Sequence, residues 1–185
     1  YLKIAQKETS KSIGRVNKEK YQLLKDGVKV SFTNTKGQLE KKTLKVFDFN
    51  NPANNHFLAV RQLEVVGDLY NRRTDVVGFV NGIPLVFFEV KAHHRDLRHA
   101  YEDNFKDYKD TIPDLFSANA LVILSNGLDK SDDSGTRVGT VTSPYKFFHE
   151  WKRIDENEKG VVSLDTTIRG TCSKENLMDL FENFL

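Results

Sequence analysis

Two near-continuous apolar runs, Val76-Val77-Gly78-Phe79-Val80 and Ile83-Pro84-Leu85-Val86-Phe87-Phe88, are separated by the turn dipeptide Asn81-Gly82. Runs without polar alternation do not suit a strand with one wet face. They predict a β-hairpin buried on both sides, at the centre of a sheet that other layers must cover. Pro84 has no N–H to donate, so it belongs at the start of its strand or where the ladder is open. Charge returns only at the open end of the hairpin, where Asp75 precedes the first run and Glu89 and Lys91 follow the second. At the end of a dry strand such charges are costly unless paired or bound to metal.

The flanking sequence supplies the covering layers. Residues 3–25 carry apolar side chains at irregular helix-like spacing (Ile13, Val16, Tyr21, Leu24), with Gly27 as a stop. Val28 to Phe32 alternates, 33–37 supplies turn residues, and Leu44 to Phe49 is strand-like again, so 1–50 reads as a peripheral helix and hairpin. Residues 50–55, with Pro52, form a turn, and Phe57 to Val66 reads as one long strand. A charged helix from about Asp96 to Asp110 ends before Pro113, and a buried strand Ala120 to Leu124 follows it. Beyond lie a polar loop at 129–135, a short strand at 138–141, a helix at 145–152 and a last helix starting at Ser173 or Lys174. This order predicts an α/β fold, a central mixed β-sheet flanked by helices.

Composition narrows the function classes. A chain of 185 residues suits one domain with its own core. The single cysteine, Cys172, can form no internal disulfide, which points to a reducing compartment and the cytoplasm. No apolar stretch approaches the roughly 20 residues that cross a bilayer, and no signal-peptide pattern opens the chain, so membrane and secretory readings fall away. A net charge of +2 neither demands nor excludes nucleic acid, which responds to local basic patches. The chain starts at Tyr1 and stops within an amphipathic run (Leu177, Leu180, Phe181, Phe184) whose apolar face needs a cover, as expected for a piece of a longer protein.

Glu-x-Lys or Asp-x-Lys occurs four times, at Glu40/Lys42, Glu89/Lys91, Asp107/Lys109 and Glu150/Lys152, so spacing alone selects none. The dry strand and the facing Asp75 select Glu89 and Lys91. With a two-residue loop at Asn81-Gly82, opposed positions sum to 163 and the two carboxylates fall on opposite faces. With a three-residue loop Val80-Asn81-Gly82 they sum to 162, which puts Asp75, Phe87, Glu89 and Lys91 on one face. The hairpin is therefore expected to contain an odd loop or a bulge. Asp75, Glu89 and the Val90 carbonyl then offer the hard oxygen ligands that Mg²⁺ prefers, and Lys91 can orient a water or hold a phosphate. Phosphodiester hydrolysis fits this set, although a structural salt bridge accounts for the three charges equally well. Arg72, Arg73, Arg95 and Arg98 flank the cluster as candidate phosphate contacts, with scattered surface charge the alternative. His93, His94 and His99 have no zinc-like spacing and read as solvated loop residues, and Trp151 reads as core packing.

At these residues the chain resembles the PD-(D/E)xK nuclease superfamily, and it is similar to the N-terminal nuclease domain of type I restriction enzyme R subunits. The similarity runs through Asn55-His56-Phe57, Arg73-Thr74-Asp75-Val76-Val77, Val80 to Val86, Glu89-Val90-Lys91, Ile112 to Phe116, Leu124-Ser125-Asn126-Gly127, Val138-Gly139-Thr140, Trp151-Lys152, and Leu177 to Leu180 with Phe184. Two positions depart from that pattern: Thr74 stands where proline is usual, and Asn104 to Tyr108 takes the place of a Gln-x-x-x-Tyr element.

The resemblance implies a restriction-endonuclease-like core at about 55–152 within a single endonuclease domain spanning 1–185. Residues 173–185 would start a helix connecting to an ATPase/translocase region. It also implies catalysis by Asp75, Glu89 and Lys91 with Mg²⁺, and auxiliary roles for Asn104 and Tyr108. A satisfied core asparagine remains the alternative for Asn104, which shares an inward stripe with Leu97, Tyr101 and Tyr108. The implied partners are double-stranded DNA and the modification (methyltransferase) and specificity subunits of a bacterial or archaeal complex. ATP belongs to the motor, since this chain has no phosphate-binding loop. A DNA-docking module without catalysis and a repair or junction-cleaving nuclease are the competing readings.

Overall fold

The computed structural model describes residues 12–127 and 135–185. At its centre is a five-stranded mixed sheet built from β3 (Phe57–Arg61), β6 (Val76–Val80), β7 (Ile83–Val90), β8 (Leu121–Ser125) and β9 (Thr136–Gly139), in the order β3-β6-β7-β8-β9. The β7/β8 pair is parallel and the other pairs are antiparallel. The apolar hairpin occupies β6 and β7, in the middle, as its two-sided hydrophobicity requires.

The hairpin meets the parity requirement by a different route from a three-residue loop. Asn81 (φ 49°) and Gly82 (φ 79°) form a two-residue turn with both residues left-handed, joining Val80 to its partner Ile83. The ladder then slips: Phe79 opposes Pro84 but Gly78 opposes Val86, leaving Leu85 as an extra residue in β7. Leu85 and Val86 consequently pack into the same core cluster although they are consecutive. The bulged Leu85 carbonyl accepts from the Ala120 N–H at 2.7 Å and from Asn119 Nδ2 at 3.1 Å. Below the bulge Val76 opposes Phe88, so continuing the ladder sets Asp75 against Glu89 on one face. Of the two routes expected, an odd loop or a bulge, the hairpin takes the bulge.

One face of the sheet carries α1 (Ile13–Asp26) and α4 (Lys174–Asn183), with Leu24, Phe47, Leu177, Met178 and Phe181 packed on Val80, Leu85, Val86 and Ile123. The other carries α2 (97–111), whose Leu97, Ala100, Tyr101, Phe105 and Tyr108 cover Val77, Phe87, Val122 and Leu124. Each such large apolar side chain withdrawn from water contributes about 1.5–3 kcal/mol toward offsetting chain entropy. Among the described residues no helix is long and apolar enough to cross a membrane.

Several expectations need correction. The N-terminal helix is not peripheral: Leu24 is fully buried, and Asn17 donates to the Phe116 and Asn119 carbonyls. The portion of that reading at 3–11, and most of the 129–135 loop, lie outside the described residues. The first hairpin pairs β1 (Val28–Thr33) with β2 (Leu39–Leu44), earlier than the apolar 44–49 stretch, because Phe47 leaves the strand path to enter the core. The long strand 57–66 breaks at Gln62, whose φ of 51° ends β3. The chain then forms a separate two-stranded ribbon of β4 (Glu64–Val66) and β5 (Asn71–Arg73).

The helix expected at 145–152 is a single turn, Tyr145–Phe147, after which the His149 and Val138 backbones exchange hydrogen bonds; Phe148 is thereby buried. A helix the periodicity did not reveal, α3 (Leu164–Cys172), is rich in Thr and contains Gly170. It is started by Ser163, whose side chain accepts from the Thr166 N–H. The apolar face of the last helix is covered from within, since Leu177, Met178 and Phe181 are buried, while Phe184 is exposed.

Asn81 commits its side chain at the hairpin turn. Its amide donates to the Val46 carbonyl (2.7 Å) and Asn55 Oδ1 (2.9 Å), and its side-chain oxygen accepts from the His56 N–H (2.7 Å). Asn81→Ala should lower stability by about 2–4 kcal/mol by removing these bonds from a left-handed turn position. Urea denaturation of the two proteins measures the difference.

Candidate active site

The open end of the β6/β7 hairpin gathers the ionisable residues singled out by the sequence. Asp75 sits just before β6, and its Oδ2 accepts from the Val90 N–H at 2.7 Å, tying the two strands together below the bulge. Its own backbone is held in turn: the Asp75 carbonyl accepts from the Gln62 N–H, and the Thr74 N–H donates to the Leu63 carbonyl at 3.0 Å. A proline at position 74 would lack that donor. Here hydrogen bonding, rather than a ring, fixes the backbone leading into Asp75.

Glu89 lies on the α2 face with Phe87 and is only 2% exposed. Its Oε1 accepts from Lys91 Nζ at 2.9 Å, whereas Oε2 is buried with no hydrogen-bond partner. Burial pushes the Glu89 carboxyl up to about 7; the charge of Asp75 adds to this, while Lys91 opposes it. Lys91 is fixed through its backbone N–H, bonded to the Ser125 carbonyl at 2.7 Å, and through Nζ, which also donates to Asn104 Oδ1 at 2.6 Å.

Asn104 reaches Lys91 from α2, which is π-helical over Ala100–Phe105 between α-helical Leu97–His99 and Lys106–Thr111. A π-turn carries an extra residue per turn and changes which side chains face the sheet. Tyr108, one turn further on, donates to the Arg73 carbonyl at 3.3 Å. Burial first, and the nearby Glu89 charge second, raise the pKa of its phenol, while a hydrogen bond from Asn104 lowers it. The inward stripe of Leu97, Tyr101, Asn104 and Tyr108 is thus present, and Asn104 is bonded to the cluster.

The donor set suits a hard cation. A buried carboxylate oxygen without a partner, beside a second carboxylate that uses one oxygen on a backbone N–H, is a poor arrangement for a purely structural ion pair. Among the described residues no group of three or more His, Cys, Asp or Glu side chains assembles. Mg²⁺ needs no such group, because it binds through one or two carboxylates together with waters and phosphate oxygens. Asp75, Glu89 and the Val90 carbonyl are the residues that would hold it.

The surrounding candidates separate. Arg73 and Arg95 expose their side chains while their carbonyls are tied to Tyr108 and Asn126. Arg72 is not available as a phosphate contact: it pairs with Asp107 through Nε (2.7 Å) and Nη2 (3.0 Å) and lies over the Tyr70 ring. His93, His94 and His99 are exposed, with His99 Nδ1 2.8 Å from Asp103 Oδ2. Trp151 packs on Gly170 of α3 rather than in an aromatic helix, where an added Cβ would lie 2.0 Å from its Nε1. The sequence did not reveal Ser125 as the anchor of Lys91, nor the π-turn; neither a backbone contact nor an inserted helical residue leaves a compositional signal.

Comparison with known proteins decides the family. Residues 2–146 match the model for "Type I restriction enzyme R protein N terminus". The chain belongs to this family. It is 35% identical over 178 residues to the type I restriction enzyme HindI endonuclease subunit of Haemophilus influenzae, covering 91% of this chain and 16% of that protein. It is 30% identical over 189 residues to a subunit from Methanocaldococcus jannaschii provisionally named as the type I restriction enzyme MjaIXP endonuclease subunit, covering 89% of this chain and 17% of that protein. The chain therefore spans about a sixth of the length of these relatives. The β6/β7 hairpin with Asp75, Glu89, Lys91, Asn104 and Tyr108 lies inside the matched R-protein segment.

The raised Glu89 pKa gives a signed expectation. Between the ordinary value of 4.5 and about 7 the folded state holds a proton that the unfolded chain has released. Metal-free stability should therefore fall as pH rises across that window and level off above it. Glu89→Gln should abolish the fall, matching wild type near pH 4 and exceeding it at pH 8 by up to about 3 kcal/mol. Denaturation midpoints measured in EDTA across this range check it.

Proposed function

We propose that this chain is the Mg²⁺-dependent DNA endonuclease domain of its R protein, with a restriction-endonuclease-like core. In this reading it makes double-strand breaks when a complex with modification and specificity subunits delivers DNA by ATP-driven translocation in the cytoplasm. The observation that carries this reading is the buried, unpartnered Oε2 of Glu89 beside Asp75, with Lys91 held between Glu89 and Asn104.

Bound Mg²⁺ would supply charge stabilisation at the scissile phosphate and a water of lowered pKa. The protein's own groups do the rest. Asp75 and Glu89 hold their carboxylates on one face, Asp75 by its bond from the Val90 N–H and Glu89 by burial. Lys91 has three N–H donors and spends two on Glu89 and Asn104, leaving a third to orient the attacking water or hold a phosphate oxygen. Asn104 fixes the Lys91 ammonium from the π-helical stretch of α2. Family membership supports the assignment to restriction, and the intact cluster favours catalysis over a docking role.

In the full-length subunit assembled with its partners, Lys91→Ala should lower cleavage of unmethylated target plasmid by at least about 100-fold while ATP hydrolysis continues. Unchanged cleavage would contradict the nuclease reading. Asn104→Ala should reduce cleavage about 10-fold or more, with Asn104→Asp, which retains an acceptor for Lys91, closer to wild type; initial rates on the same plasmid separate the variants.

A further inference from the structure

Among the described residues, the non-glycine positions with positive φ are Gln62 (51°) and Asn81 (49°). That conformation crowds the β-carbon against the backbone and persists only where the surroundings over-determine it. For Asn81 the reason is local, because its side chain is hydrogen-bonded to Val46, Asn55 and His56 across the hairpin turn. Gln62 has no such reason. Its side chain is exposed, and among the described residues its amide has no hydrogen-bond partner. Glycine would adopt this backbone without strain, yet a long amide side chain stands there.

The place is beside the carboxylate cluster. β3 and β6 pair Val60 with Val77 and Arg61 with Val76, so the next position of the ladder sets Gln62 opposite Asp75. The backbone bond of that position is made, the Gln62 N–H donating to the Asp75 carbonyl at 2.8 Å. One residue on, the Leu63 carbonyl accepts from the Thr74 N–H at 3.0 Å and from Thr74 Oγ1 at 3.3 Å. The left-handed residue thus lets the chain leave β3 for the β4/β5 ribbon while keeping its hold on Thr74 and Asp75. This accounts for the backbone of Gln62 and leaves its side chain unexplained. Opposed residues of an antiparallel pair have Cβ atoms about 5 Å apart, which puts an oxygen bound beside Asp75 within reach of a glutamine amide. A lysine or arginine at this position would pair with Asp75 and compete with a metal for it, whereas a neutral amide offers two N–H donors without doing so.

We propose that the Gln62 side-chain amide holds a backbone phosphate oxygen of the DNA at the Asp75/Glu89 cluster, as a further substrate-positioning residue of the cleavage reaction. The inference rests on the nuclease reading. Such a contact fixes the register of the scissile strand and reads no sequence. It also gives the strained position a use, since the backbone bond from Gln62 to Asp75 ties the amide to the carboxylate beside which the phosphate binds.

The test follows initial rates of cleavage of unmethylated target plasmid by the full-length subunit assembled with its partners, together with urea midpoints and Mg²⁺ titration of the same variants. Gln62→Gly should cut at least about 10-fold more slowly than wild type, while its midpoint equals or exceeds that of wild type because the strain is relieved. Gln62→Ala keeps the crowded β-carbon, so it should show a lower midpoint than Gln62→Gly and the same loss of cutting. Gln62→Glu keeps the length but sets a negative charge against the phosphate, and should cut more slowly than either. Mg²⁺ affinity should match wild type in Gln62→Gly. A wild-type rate in Gln62→Gly would overturn the inference. So would rates that simply follow the midpoints, or weakened Mg²⁺ binding in Gln62→Gly, since either marks a residue that acts only through the Asp75 backbone. Lys91→Ala in the same assay separates the two readings. If it is inactive while Gln62→Gly cuts normally, only this inference fails; cutting that survives Lys91→Ala removes the nuclease reading and this inference with it.

Discussion

The structure depends on holding one carboxylate dry at the end of an apolar strand. Glu89 has to lie under α2, away from solvent, and opposite Asp75. A plain two-residue hairpin would put the two acids on opposite faces, and the extra residue at Leu85 corrects the parity midway along β7. That correction has its own cost, because a bulged residue leaves backbone groups without ladder partners. Asn119 and the start of β8 take up the Leu85 carbonyl, which couples the hairpin to the parallel strand beside it. The local irregularity that aligns the carboxylates is therefore also part of how the sheet is joined.

The same burial explains the electrostatics. A carboxyl raised to about 7 is a destabilising group in the metal-free protein, relieved only partly by Lys91. Keeping an unpartnered oxygen in such a place makes physical sense where a cation completes the coordination. Lys91 is held from three directions, by Ser125 through its backbone and by Glu89 and Asn104 through its ammonium. The π-helical turn in α2 belongs to this arrangement, since a departure from regular helix at the one point where the helix touches the cluster sets which side chain arrives there.

The sequence showed the centre of this protein better than its margins. The β6/β7 hairpin, the helix after it and strand β8 are legible because long apolar runs and an inward stripe admit few other structures. Parity, once Asp75 and Glu89 are required on one face, called for an odd loop or a bulge without choosing between them. Elements decided by tertiary contact were not legible: Phe47 and Phe148 leave regular structure to fill the core, and Gln62 breaks a run that reads as one strand. Helix α3 has low intrinsic propensity through its Thr residues and Gly170, and stands on its Ser163 cap and its packing. Of the candidate phosphate contacts, Arg72 is taken up by an ion pair with Asp107, a residue 35 positions away that periodicity cannot connect to it.

Divalent-ion binding tests the central claim most directly, because it asks whether the Asp75/Glu89 pair is a metal site before any cutting occurs. Calorimetric titration of Mg²⁺ or Mn²⁺ into the protein near pH 7, in two buffers of different ionisation enthalpy, reports both affinity and protons released. The account predicts binding with up to about one proton released as Glu89 ionises, abolished or much weakened in Asp75→Asn and in Glu89→Gln. Binding of unchanged strength in both variants, with no change in proton release, would contradict it.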